Sequence, residues 1–181
     1  VHRLVVTEDV GPLRLKGDKG WHTYWRNPGD SGLPPTLTWK LPAGVDAGPI
    51  EWLPPQVLPA GPLTNYGYEG VALHPVTLHA TPAFAGERQV TLAVRADWLV
   101  CRETCIPEGA DLTLTLPIAR DATNDPRNGA SITAALATVP ATLDGSGWRA
   151  AARGDGQHVV VALTPPAGAA DPGALRFFPD D

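Results

Sequence analysis

The sequence predicts an all-β protein, namely an antiparallel β-sandwich followed by the start of a second β-domain. Apolar and polar residues alternate with a period of two along several segments, whereas a sustained period of 3.6 residues is hardly found. The 181 residues include 20 prolines and 19 glycines, well above average usage, which is typical of many turns between short strands. Because 43% of the residues are hydrophobic, the strands can bury a core.

The clearest predicted strand covers residues 89–100. Its apolar face carries Val90, Leu92, Val94, Ala96, Trp98 and Val100. Residues 111–116 alternate in the same way, with a leucine at every second position. Further strands are predicted at 2–7, 11–16, 21–25, 36–41, 48–52 and 71–80. Residues 27–32, with the sequence Asn-Pro-Gly-Asp-Ser-Gly, are predicted to form a turn.

The C-terminal part of the chain differs in composition. A short helix is predicted at 131–138, with Ser131 as its N-cap and Pro140 as its terminator. The composition then changes over 141–156, and a strand is predicted at 158–163. We therefore expect a first domain at 1–140, and a linker with the start of a second β-domain at 141–181. That second domain is expected to be incomplete at residue 181.

Charge and hydropathy exclude several functional classes. The formal net charge is −5, from 14 basic and 19 acidic residues, and no Lys/Arg cluster is present, so no nucleic-acid partner is expected. No apolar run approaches the roughly 18–20 residues that span a bilayer. The chain also opens without a signal-peptide pattern. We expect any targeting or membrane segment to lie outside these 181 residues.

The two cysteines, Cys101 and Cys105, are the most informative chemical feature. Strands 89–101 and 105–116 can form a hairpin with residues 102–104 at its tip, which would bring the two Cα atoms within reach of a disulfide. Continued alternation places Cys101 on the face opposite the apolar stripe. We therefore expect its thiol to be more accessible than a thiol in the core.

Spacing alone leaves three functions open for this pair. The first is thiol–disulfide exchange, and the second is a structural disulfide. A loop of about five residues gains only about 2 kcal/mol from chain entropy, against roughly 3 kcal/mol for fifteen residues, which weakens the structural alternative. The third is Cu(I) binding by the two thiolates. A tetrahedral zinc site would need more ligands than the two cysteines and scattered histidines supply.

Three segments in order resemble one known family. They are Trp-Leu-Val-Cys-Arg-Glu-Thr-Cys-Ile-Pro-Glu at 98–108, the aromatic strand and loop at 21–35, and Leu-Thr-Asn-Tyr-Gly-Tyr-Glu-Gly at 63–70. Together, over residues 10–120, they resemble the N-terminal periplasmic region of the DsbD/ScsB family of membrane thiol:disulfide interchange proteins. The Trp-Arg-Asn-Pro-Gly-Asp-Ser-Gly motif and the Cys-x-x-x-Cys spacing favour the ScsB-like branch, which is associated with suppression of copper sensitivity.

The resemblance implies an immunoglobulin-like domain with protein-disulfide reductase activity and no bound cofactor. Such a domain is periplasmic and belongs to a protein anchored in the inner membrane. It receives electrons from the membrane-embedded domain of the same protein and passes them to thioredoxin-like periplasmic proteins. On this basis Cys105 reacts with the partner and Cys101 resolves the mixed disulfide. Cu(I) binding by the same two residues, with a role in copper tolerance, is the alternative.

The resemblance also suggests residues around the disulfide. Tyr66 and Tyr68, with Glu69, are expected in a glycine-punctuated loop that caps the cysteines, although ordinary packing at the sandwich edge is the alternative. Tyr24 lies opposite the neighbouring tryptophans in strand parity, so it is a candidate to face the cysteine cleft. His22 shares that parity, and we expect it to be a solvated strand histidine.

Overall fold

The computed structural model describes the backbone of residues 5–6 and all of residues 13–80, 88–118 and 128–180. It confirms the all-β, immunoglobulin-like antiparallel sandwich. The elements are β1 (Val5–Val6), β2 (Leu13–Lys16), β3 (His22–Gly29), β4 (Thr36–Lys40), β5 (Val45–Ile50), β6 (Gln56–Ala60), β7 (Leu63–Glu69), β8 (Val71–His74), β9 (Val76–Ala80), β10 (Gln89–Cys101), β11 (Cys105–Pro117), α1 (Gly129–Leu136), β12 (Arg149–Gly154) and β13 (Val159–Thr164).

The largest sheet is built around the long strand β10. Its order is β11-β10-β3-β7-β6, and β4 also pairs with β10. One edge of β10 pairs with β11 along its whole length, so that Cys101 lies directly opposite Cys105. The other edge pairs with β4 over residues 93–97 and then with β3 at Cys101 and His22. The smaller sheets are β1-β2-β8, β5-β9 and β12-β13.

The core lies on the apolar face of β10, as the alternation predicted. On that face Leu92, Ala96, Trp98 and Val100 are buried, and Val90 and Val94 are half-buried. The smaller sheets contribute the buried residues Leu15, Val45, Ala72 and His74. The Tyr68 ring of β7 meets the His74 ring of β8 edge-on, with 5.6 Å between centroids. Aromatic contact therefore joins the large sheet to the three-stranded sheet.

Strands β6 and β7 were not predicted, because prolines and glycines punctuate residues 56–69. Gly61 has a φ of +63°, which suits the tight turn between the two strands. Gly67 lies inside β7, where an added Cβ would overlap the carbonyl oxygen of Thr23 on β3. This glycine therefore permits the close approach of two backbones rather than marking a turn.

Other boundaries differ from the predictions by small amounts. The strand predicted at 71–80 is divided into β8 and β9 at Pro75, which has no N–H to donate, while its carbonyl accepts a hydrogen bond from the Glu51 N–H at 2.7 Å. Helix α1 begins after Asn128, not Ser131, without a side-chain cap. Of the strand predicted at 2–7, only Val5–Val6 lie within the described residues.

The chain divides into two compact units, Val1–Val139 together with Asp180–Asp181, and Pro140–Pro179. In the second unit β12 pairs with β13, and the residues of both strands are exposed. The domain boundary near residue 140, and the assignment of the second unit to a larger β-domain, stay predictions. No helix within the described residues has the length and apolar character that crossing a membrane requires.

Candidate functional site

The two cysteines form a disulfide at the tip of the β10–β11 hairpin. Cys101 and Cys105 are bonded, with 4.1 Å between their Cα atoms. The three residues between them turn the chain, and the N–H of Arg102 donates to the carbonyl of Thr104 at 3.2 Å. Cys101 and Cys105 are the last paired residues of β10 and β11 before the turn, so the disulfide joins the two strands at that end of the hairpin.

The two sulfur-bearing residues differ sharply in exposure. Cys101 is 2% exposed, whereas Cys105 is an exposed residue. The prediction that Cys101 would be accessible is therefore wrong, although its strand parity was assigned correctly. Near the tip that face of the sheet is covered, because His22 is the cross-strand neighbour of Cys101 and Tyr24 lies one pleat further along β3. Parity alone could not reveal this cover.

The structure brings the side chain of Tyr24 to the sulfur atom of Cys105. Its hydroxyl lies 3.7 Å from Cys105 Sγ and 3.3 Å from His22 Nε2. The residue is 1% exposed, and burial raises the pKa of Tyr24, so at neutral pH it is a phenol with an O–H to donate. A sulfur atom in a disulfide carries no hydrogen. In the contact with Cys105, Tyr24 is therefore the donor.

His22 differs from its prediction as a solvated strand histidine. It is half-buried, and its ring meets the Tyr24 ring edge-on with 5.2 Å between centroids. Burial lowers the pKa of His22, and the nearby Glu69 carboxylate opposes this effect. The imidazole is therefore mainly neutral at neutral pH, and in the tautomer that carries its hydrogen on Nε2 it can donate to the Tyr24 oxygen, which leaves the single phenol hydrogen for Cys105.

One row of the sheet carries most of the polar groups of the site. Cys105, Cys101, His22 and Glu69 are successive register partners across β11, β10, β3 and β7. The Glu69 carboxylate, at the far end of the row, accepts a hydrogen bond from the backbone N–H of Gly20 at 3.0 Å. Glu69 thus belongs to the same sheet face as the disulfide, but its observed partner is backbone.

The proposed cap of Tyr66 and Tyr68 needs correction. Both residues lie on strand β7 rather than in a loop, and their parity is opposite to that of Glu69. Tyr68 is buried, donates its hydroxyl hydrogen to the Leu53 carbonyl at 2.7 Å and packs against His74. Its ring is part of the core and does not cover the disulfide. Tyr66 is half-buried on the same face of β7 as Tyr68.

The charged residues nearest the cysteines are oriented in different ways. Arg102 lies 5.8 Å from the centroid of the Trp21 ring, and its guanidinium is 3.8 Å from the Glu103 carboxylate. The Glu108 carboxylate accepts a hydrogen bond from Trp98 Nε1 at 3.2 Å. Arg102 and Glu103 therefore place a pair of opposite charges at the hairpin tip, while Glu108 is held beside the indole.

The segment that covers Tyr24 was not predicted from the sequence. Residues 27–32 were predicted only as a turn, yet Gly32 lies directly on the Tyr24 ring. Glycines at 29 and 32 were the available signal, since both have positive φ angles.

Among the described residues, no three His, Cys, Asp or Glu side chains are grouped to hold a metal ion. Cu(I) binding by Cys101 and Cys105 stays a prediction.

Comparison with known proteins places this hairpin in a family context. The family model for the N-terminal part of the thiol:disulfide interchange protein DsbD matches residues 5–117. The crystal structure of the N-terminal periplasmic domain of ScsB from Proteus mirabilis is similar in fold, with a TM-score of 0.59 and 18% sequence identity. The similarity covers 84% of this chain and 57% of that chain, so this chain spans little more than half of that domain. No curated protein matches the sequence.

The family match covers the strands that carry the disulfide. Residues 5–117 include both cysteines, Tyr24 and the hairpin from its first strand to its last. This is more than half of the chain. The chain belongs to the family of N-terminal domains of the thiol:disulfide interchange protein DsbD.

Proposed function

We propose that this chain is a periplasmic electron relay that works by thiol–disulfide exchange through Cys105 and Cys101. It takes an electron pair from the membrane-embedded domain of its own full-length protein and gives it to thioredoxin-like proteins. In this role it acts as a protein-disulfide reductase module. The observation that carries the proposal is an exposed Cys105 joined to a buried Cys101, with the Tyr24 O–H beside the exposed sulfur.

The difference in exposure assigns the two cysteines different tasks. An incoming thiolate must approach a sulfur atom in line with the bond that breaks, which requires open space at that sulfur. Only Cys105 of the pair is exposed. In the oxidised protein a partner thiolate bonds to Cys105, the disulfide breaks, and the pair of electrons leaves on Cys101, which then takes up a proton. A second partner thiolate releases Cys105.

Delivery of the electrons is the reverse sequence. The Cys105 thiolate attacks the disulfide of an oxidised thioredoxin-like protein and forms a mixed disulfide. The Cys101 thiolate then attacks Cys105, restores the intramolecular disulfide and leaves the partner as a dithiol after protonation. Each cycle transfers two electrons and two protons. Tyr24, held in place beside Cys105, can donate a hydrogen bond to the Cys105 thiolate, which reduction of the pair produces and delivery of the electrons consumes.

The test is the reduction potential of the Cys101–Cys105 pair, measured by equilibration with glutathione and then with a thioredoxin-like protein. A relay requires a potential above about −300 mV, because structural disulfides in secreted proteins lie below that value. We expect exchange with both reductants. A potential below about −300 mV without exchange would identify an inert bridge. Tight Cu(I) binding that needs both thiols, without exchange, would support the copper-tolerance alternative.

Replacing Tyr24 by phenylalanine should make Cys105 less reactive. In a Cys101→Ala background, where Cys105 is the remaining thiol, Tyr24→Phe removes a donor to the thiolate worth about 1.5 kcal/mol. The thiolate fraction falls about tenfold. Because a more basic thiolate is also more nucleophilic, about half of this loss on a logarithmic scale is offset, which leaves a rate about threefold lower. The measurement is the alkylation rate by iodoacetamide across a pH series.

Tyr66→Phe is the control, because Tyr66 lies on β7 with the parity of core residue Tyr68. We expect its alkylation rate and pH profile to match those of the Cys101→Ala parent. If both tyrosine variants slowed alkylation equally, the hydroxyl of Tyr24 would have no special role. A cap formed by β7 would then need to be reconsidered.

A further inference from the structure

The segment that follows the pairing region of β3 is attached firmly to β7. The N–H of Asp30 donates to the Thr64 carbonyl at 3.0 Å, and the N–H of Thr64 donates to the Asp30 carboxylate at 2.7 Å. Both the N–H and the hydroxyl of Ser31 donate to Asn65 Oδ1, at 3.0 and 3.1 Å. Asn65 is 2% exposed. Four hydrogen bonds therefore fix the position of this segment relative to the sheet.

Gly32 is the next residue of this segment, and its backbone lies against the ring of Tyr24. A Cβ added at Gly32 would overlap the Cε1 and Cζ atoms of that ring, and the residue has a φ of +102°, which favours glycine. Tyr24 is on the outward face of β3, yet it is only 1% exposed. The bare backbone at Gly32 therefore lies against the ring of Tyr24, close to its hydroxyl.

We propose that Gly32 is a positioning residue for disulfide exchange, which holds the Tyr24 hydroxyl at the Cys105 sulfur. The inference extends the proposed function, since it assigns a role to the Asp30–Gly32 segment in setting the reactivity of the exposed cysteine. Two residues contact the ring in this arrangement. His22 contacts it along β3, and Gly32 covers it from the attached segment. A side chain at position 32 must displace the ring, and the hydroxyl moves away from Cys105.

The test compares Gly32→Ala with Gly61→Ala, both in the Cys101→Ala background. Gly61 is a matched control, because its φ is also positive at +63° but no heavy atom lies within 4 Å of an added Cβ. We expect Gly32→Ala to lower the alkylation rate of Cys105 at pH 7 about threefold and to move the pH–rate profile upwards, as Tyr24→Phe does. Gly61→Ala should leave both unchanged.

A double-mutant cycle with Tyr24→Phe identifies the route of the effect. If Gly32 acts through the hydroxyl, Gly32→Ala should change nothing further once the hydroxyl is absent. An equal loss in both backgrounds would overturn the proposal, as would an unchanged rate in Gly32→Ala alone. Alkylation needs no protein partner. The alkylation rates therefore test the role of Gly32 even if the domain fails to exchange with thioredoxin-like proteins.

A milder variant covers the case in which Gly32→Ala does not fold. Ser31→Ala removes one of the two hydrogen bonds to Asn65 and adds no atoms. Urea unfolding followed by tryptophan fluorescence establishes that each variant is folded. We expect a smaller loss of alkylation rate for Ser31→Ala, about 1.5-fold, that also disappears in the Tyr24→Phe background. A folded Ser31→Ala protein with the parent rate would count against the proposal.

Discussion

A Cys101→Ala variant should form a stable mixed disulfide with a thioredoxin-like protein, and a Cys105→Ala variant should form almost none. The first variant keeps the exposed thiol and lacks the thiol that would resolve the product. The second keeps only Cys101, which is 2% exposed and must be uncovered before it can react. If uncovering costs about 3 kcal/mol, attack by Cys101 is slowed about a hundredfold.

The measurement uses a thioredoxin-like protein whose single active-site cysteine is activated with a coloured thiol leaving group. Release of that thiol gives the rate of mixed-disulfide formation by each variant. Unfolding in urea is the control, because both cysteines are then exposed and the two rates should converge. Equal rates for the two native variants would contradict the assignment of Cys105 as the cysteine that meets the partner.

Acid should destabilise the domain through His74. This residue is fully buried, its ring contacts those of Trp52 and Tyr68, and neither ring nitrogen has a hydrogen-bond partner among the described residues. Burial lowers the pKa of His74 to about 4, from 6.5 in the unfolded chain. Between these two values the unfolded state binds more protons than the folded state. Stability is therefore complete above pH 6.5 and falls as the pH drops towards 4.

The expected loss from His74 across this window is about 3 kcal/mol, at 1.36 kcal/mol for each unit of pKa difference. His74→Phe keeps a flat ring in the core and removes the titrating group, so its free energy of unfolding should fall less between pH 6.5 and 4. Urea unfolding at a series of pH values measures this difference. His79→Phe, at an exposed position on β9, is the control and should retain the parent pH dependence. Parallel curves for His74→Phe and the parent would refute the explanation.

Local patterns predicted the hairpin well, for a clear physical reason. Alternation along β10 and β11 requires only that each strand has one buried face, and neighbouring residues in the sequence carry that information. The three residues between the cysteines suit a tight turn, so the two cysteines were expected to come within reach of each other. Tyr24 was a candidate for the cleft on the same argument, since parity depends on β3 alone.

Features that depend on distant segments were predicted poorly. Prolines and glycines punctuate the segment of β6 and β7, and the pairing of β7 with β3 and of β6 with β7 outweighs that local composition. The glycine-punctuated segment at 63–70 suggested a movable cap, but Gly67 lets β7 approach the backbone of Thr23. Tyr68 consequently faces the core. A glycine that permits flexibility and one that permits close contact are identical in sequence.

By itself the sequence determined that this protein is an antiparallel β-sandwich whose two cysteines face each other across a hairpin. The three motifs, in their order along the sequence, also identified the family. Only the tertiary structure decided that Cys101 is buried and Cys105 exposed. Strand parity assigns a residue to a face of a sheet, but exposure depends on what covers that face. Here the cover near the disulfide comes from β3 and from Gly32, about 70 to 80 residues away from the cysteines in the chain.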